Sequence, residues 1–179
     1  LFFLENLDAT LKKLKSQTAN IFTLLNLSLG SASILFTVRN ELNLALIFIF
    51  LAALSDRFDG MIARKLGIES ELGKQLDSLC DLVSFGVAPA LLLYQGALHE
   101  YSAPAVFFTT LYIASGAFRL ARFNVSESNG YFQGVPITVA GCLVTLGYFL
   151  IGFVPGWALL SLLLLLSFLM VSSFTVKKV

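Results

Sequence analysis

Histidine is nearly absent. His99 is the only one in 179 residues and stands in a short loop, so there is no evident Ser/His/Asp or Cys/His catalytic set. The two cysteines, Cys80 and Cys142, lie far apart inside apolar stretches without CxxC spacing. That argues against a disulfide framework or a thiolate metal site and leaves both as packing residues. Charge is scarce as well: Asp, Glu, Lys and Arg make up 13% of the chain and the net charge is +1. With no basic tract interleaved with aromatics, nucleic acid is not an expected partner. Only four prolines interrupt the chain, which is 57% hydrophobic, contains 17 Phe and has a mean hydropathy of +0.84. Such a composition suits helices solvated by lipid, whose backbone groups must satisfy one another.

Residues 1–16, LFFLENLDATLKKLKS, set Leu4, Leu7, Leu11 and Leu14 on one helical face with Lys12, Lys13 and Lys15 elsewhere, the pattern of an amphipathic interfacial helix. The first residues lack the basic, apolar, small-residue order of a signal peptide. Residues 17–179 read as one all-α, polytopic membrane domain with six transmembrane helices near 19–38, 42–64, 72–94, 103–124, 135–153 and 155–172. No internal repeat or low-complexity linker divides it. With six spans both termini share a side, and ten of the twelve Lys and Arg fall there: Lys12, Lys13, Lys15, Arg64, Lys65, Lys74, Arg119, Arg122, Lys177 and Lys178. Lys and Arg are retained on the cytoplasmic side of short loops, so both termini are expected in the cytoplasm.

Of five Asp in the chain, Asp56, Asp59, Asp77 and Asp81 lie in the second and third apolar stretches. An ionised carboxylate near the middle of a bilayer helix costs about 2.5–3.5 kcal/mol on insertion scales, so these four need compensation. At about 100° per residue, Asp56 and Asp59 share one helical face, as do Asp77 and Asp81. The intervening turn centres near Ile68, and in an antiparallel hairpin the two pairs meet at matching depth. Gly60, Ala63, Gly67 and Gly73 continue the same faces and keep the crevice open. Converging carboxylates suit two hard divalent ions, Mg²⁺ or Mn²⁺, able to clamp a pyrophosphate. Two alternatives stay open at this level: a buried ion network with Arg57, Arg64, Lys65 and Lys74, and a cation or proton pathway.

Residues 56–81, DRFDGMIARKLGIESELGKQLDSLCD, carry D-x2-D-G-x2-A-R-x8-G-x3-D-x3-D. At all eight fixed positions this resembles the signature of the CDP-alcohol phosphatidyltransferase family, and the six-span topology is similar too. The resemblance implies that Asp56, Asp59, Asp77 and Asp81 ligate two divalent cations and that Asp81 is also the base that deprotonates the acceptor alcohol. It implies that Gly60, Ala63 and Gly73 admit the nucleotide of a CDP-linked lipid and that Arg64 faces its diphosphate. In the first stretch Asn20, Thr23 and Asn26 recur every third residue, similar to the family's Pro-Asn-x-x-Thr-x-x-Asn element, with Ala19 where Pro is usual. Thr23 and Asn26 are thereby candidates for the CDP head group, with interhelical hydrogen bonding as the alternative. A homodimer among membrane lipids is a further implication.

The strings LVSFGVAPA, GAFRLARFNV and GYFQGVPITVAG resemble the phosphatidylserine synthase branch of that family. The resemblance implies CDP-diacylglycerol and L-serine as substrates, with glycerol 3-phosphate or an inositol phosphate as alternative acceptors. Arg119 and Arg122, spaced i,i+3 near the cytoplasmic level of the aspartates, could hold a carboxylate or phosphate, with Asn124 a weaker candidate nearby. The other reading of the two arginines is a basic cluster that sets topology.

Overall fold

The computed structural model describes residues 21–66, 71–125, 131–172 and 175–177, with the side chains at 59, 62–66, 131–133 and 175–177 outside the described set. Residues 1–16, assigned above to an interfacial helix, lie outside it too. Among the described residues, six helical units coincide with the apolar stretches. The first is α1, Ile21–Val38, and the second α2, Leu42–Leu66. Their turn is built by Asn40, whose φ of 62° lets Asn40 N–H and Glu41 N–H donate to Thr37 O and Phe36 O at 2.9 Å each. This double bond pattern closes a helix C-terminus on a left-handed residue, a conformation that asparagine tolerates well. Two serines then fasten the hairpin, Ser33 Oγ donating to Ala45 O at 2.8 Å and Ser55 Oγ to Phe22 O at 3.2 Å.

The third unit begins as α3, Glu71–Asp81, and passes through a π turn, Leu82–Val87, into α4, Ala88–Leu93, and a second π turn, Tyr94–Leu98. A short 3₁₀ turn, His99–Tyr101, reverses the chain into α5, Ser102–Val125. Helices α6, Ile137–Phe149, and α7, Gly156–Val171, complete the set, each preceded by a proline that ends the loop before it. Phe85, Leu93, Tyr112, Ile137, Val144, Leu163 and Met170 form the core shared by these elements. Large apolar side chains also face outward, among them Phe50, Phe107, Trp157 and Phe168. By length and composition, two described stretches suffice to cross a membrane, Ile21–Val38 and the Glu71–Val125 run. The 13-residue α6 and 16-residue α7 are shorter than their apolar stretches, about 20 and 24 Å along the axis.

The all-α expectation needs one amendment. Strands β1, Tyr131–Gln133, and β2, Thr175–Lys177, form a short antiparallel ribbon with Phe132 opposite Val176. Aromatic and β-branched residues at both sites favour the extended form once the helices on either side have ended.

Helices α1 and α6 close on the first π turn. Ser84 Oγ donates to Asn26 O of α1 at 3.1 Å, and a Cβ added at Gly30 would run into Ser84 Oγ and come within 2.9 Å of Ser84 Cα. From the other side, a Cβ at Gly141 of α6 would lie 2.6 Å from Phe85 O. Both glycines are required by close backbone approach. Gly30→Val is expected to push α1 off the turn and cost about 2 kcal/mol, on the order of 5 °C in the unfolding midpoint in detergent. An unchanged midpoint would show that α1 is not seated on Ser84.

Candidate active site

Helix α2 brings Asp56, and α3 brings Asp77 and Asp81. One carboxylate oxygen from each lies within 4.8 Å of the other two. The i,i+4 spacing of Asp77 and Asp81 puts them on one face of α3, and Asp56 of α2 meets them there. Asp56 and Asp77 are half-buried, whereas Asp81 retains 9% of its exposure and its Oδ1 is buried without a hydrogen-bond partner. The Asp59 side chain lies outside the described set, as do those of Ala63 and Arg64. Gly60 and Gly73 are half-buried on the same two helices.

Three carboxylates this close repel strongly. At 4.8 Å and an effective dielectric constant near 20, each ionised pair costs on the order of 3 kcal/mol. Among the described residues, Arg119 of α5 is a buried cation, 7% exposed, whose Nε is buried without a hydrogen-bond partner. One guanidinium would not by itself balance three negative charges. A hard divalent ion fits this donor set, with its oxygen ligands and one orphaned carboxylate oxygen already facing inward.

The other residues expected at the site divide into two groups. On α1, Thr23 and Asn26 are buried at 4% and 1% exposure, and Asn26 presents both amide atoms, Nδ2 and Oδ1, without a partner among the described residues. Its backbone carbonyl takes the Ser84 bond, one turn beyond Asp81. Arg122 and Asn124 make hydrogen bonds to neighbouring helices. Arg122 donates through Nη1 to Val171 O at 2.9 Å and through Nη2 to Ser172 O at 3.2 Å, capping the carbonyl end of α7. Asn124 Nδ2 donates to Gln75 Oε1 at 3.0 Å, while its Oδ1 accepts from Ser78 Oγ at 3.1 Å and its backbone carbonyl from Lys74 Nζ at 3.3 Å. This brace ties the end of α5 to α3, beside Asp77.

A family model described as CDP-alcohol phosphatidyltransferase matches residues 16–174. The chain belongs to the CDP-alcohol phosphatidyltransferase family. Among its relatives is the archaetidylserine synthase of Methanothermobacter thermautotrophicus, 38% identical over 173 residues, which cover 94% of this chain and 73% of that protein. The CDP-diacylglycerol–serine O-phosphatidyltransferase of Bacillus subtilis is 39% identical over 130 residues, 72% of this chain and 73% of that one. The protein of that name from Methanocaldococcus jannaschii is 40% identical over 126 residues, 70% of this chain and 57% of that one. As a CDP-alcohol phosphatidyltransferase the chain is an integral membrane enzyme with a divalent-metal site, and its aspartate cluster is the group of described residues that fits one. An ion or proton pathway is no longer needed to account for the buried carboxylates.

Sequence reasoning missed Tyr112 of α5, which is fully buried and donates its hydroxyl to Phe85 O at 3.1 Å. The available signal was a tyrosine within an apolar helix, since a buried phenol needs a partner.

Proposed function

We propose that this CDP-alcohol phosphatidyltransferase moves the phosphatidyl group of CDP-diacylglycerol to the hydroxyl of L-serine, giving phosphatidylserine and CMP. The observation that carries the reading is the meeting of Asp56, Asp77 and Asp81, one carboxylate oxygen of each within 4.8 Å of the others. The serine-named relatives support the choice of acceptor. Two divalent ions, Mg²⁺ or Mn²⁺, would be held by Asp56, Asp59, Asp77 and Asp81 and would supply Lewis-acid polarisation of the diphosphate and the acceptor hydroxyl.

The chain's own groups do the rest. Arg119 holds the serine carboxylate and so aims the hydroxyl at Asp81. Asp81 takes the hydroxyl proton at Oδ1. The serine oxygen bonds to the phosphorus nearest the diacylglycerol as that phosphorus loses its bridging oxygen, and CMP leaves with the electron pair. Thr23, Asn26, Gly60, Ala63, Arg64 and Gly73 would bind the CDP moiety. Arg122 and Asn124, engaged with α7 and α3, fix the helix that carries Arg119. The enzyme works as a homodimer. Six spans of residues 17–179 follow an interfacial helix at 1–16, with both termini and the active site on the cytoplasmic side, as the lysine and arginine distribution supports.

The test is acceptor choice. Detergent-solubilised protein with Mn²⁺ and either diacyl or diether CDP-lipid should release CMP with L-serine. It should not do so with glycerol 3-phosphate or inositol phosphate. Release with glycerol 3-phosphate but not serine would overturn the acceptor assignment.

A further inference from the structure

Tyr112 and Pro89 stand outside the chemistry above, yet together they explain an irregular helix beside it. In an uninterrupted α-helix the carbonyl of Phe85 receives the amide of residue 89. That residue is Pro89, which has no N–H and whose ring opposes the carbonyl four residues earlier. The chain responds by widening: Leu82–Val87 is a π turn, in which Ala88 N–H reaches back to Val83 O. Phe85 is 1% exposed, and the Tyr112 hydroxyl donates to its carbonyl at 3.1 Å. Gly141 closes over the same oxygen. Thus one helix withholds a hydrogen bond and another supplies it.

The consequence falls on the aspartates. A π turn holds one residue more than the α turn it replaces, so the helix before it is rotated by about 100° relative to the helix after it. Downstream, Ala88, Pro89, Ala90, Leu92 and Leu93 are fixed in the core. Upstream, the residue next to the turn is Asp81, with Asp77 one helical turn earlier. We propose that Pro89 and Tyr112 hold Leu82–Val87 in its π form and thereby set the rotation at which α3 presents Asp77 and Asp81 to Asp56. Tyr112 is a positioning residue of the metal site. The inference rests on the reading of the aspartates as metal ligands.

Pro89→Ala restores the missing N–H and lets the turn relax to α, so it separates stability from metal binding. The full chain in detergent is titrated with Mn²⁺, free Mn²⁺ is read by electron paramagnetic resonance, and the unfolding midpoint is recorded for each variant. Pro89→Ala should unfold at or above the wild-type temperature while its Mn²⁺ affinity falls about tenfold or more, the size of effect expected from disturbing support around metal ligands. Tyr112→Phe should lower both the midpoint and the affinity. In the double variant the midpoint should recover, because the new amide satisfies Phe85, while the affinity stays low. Wild-type affinity in Pro89→Ala, or in Tyr112→Phe, overturns the proposal. So does a loss of stability and affinity together in Pro89→Ala. No Mn²⁺ binding by the wild type overturns the metal-site reading itself, and this inference with it.

Discussion

Asp81→Asn is expected to lower CMP release about a thousandfold at saturating Mn²⁺ and serine, within the range for removal of a positioned general base. The substitution keeps the shape of the side chain and removes its capacity to accept a proton. Asp81 is the deepest of the three described carboxylates, and its Oδ1 has no hydrogen-bond partner to hold it back from an incoming hydroxyl. Measuring Mn²⁺ binding alongside turnover divides the effect. A fall in kcat with metal affinity retained assigns Asp81 to proton transfer, whereas lost affinity shows that ligation is part of its role. Full activity in this variant would remove Asp81 from the chemistry.

The second large effect is expected at Arg119. Arg119→Leu should raise the KM for serine about thirty- to a hundredfold, the equivalent of one buried charge-assisted hydrogen bond to a carboxylate. The KM for the CDP-lipid should change little. Ethanolamine, which offers the same hydroxyl and amine without a carboxylate, provides the control. In the wild type serine should be strongly preferred, and in the variant that preference should collapse, with Arg119→Lys between the two. If serine and ethanolamine lose activity in equal proportion, Arg119 serves to offset the charge of Asp81 and does not read the acceptor.

How far the sequence could be read depended on how local the cause was. Asp77 and Asp81 share a face because four residues make about one helical turn, and Asp56, at nearly the same count from Ile68 in the sequence, meets them. Both follow from counting. The helices could be located by the same means, because long apolar runs and their interruptions are properties of neighbouring residues. Arg119 and Arg122 looked like a pair for the same reason, yet Arg122 turns to carbonyls at the end of α7, 48 to 50 residues further along the chain. Asn124 likewise finds Ser78 and Gln75 at separations of 46 and 49 residues. Partners this distant leave no mark in local spacing. The π turn was half legible: Pro89 announces a missing hydrogen bond, but not that Tyr112, on another helix, supplies it.

The brace made by Asn124 has a consequence for the energy of each turnover. It ties α5, which carries Arg119, to α3 beside Asp77. The work of bringing like charges together is therefore done once, during folding. Neither substrate has to rearrange those dipoles as it arrives, so little of its binding energy is diverted from the transition state.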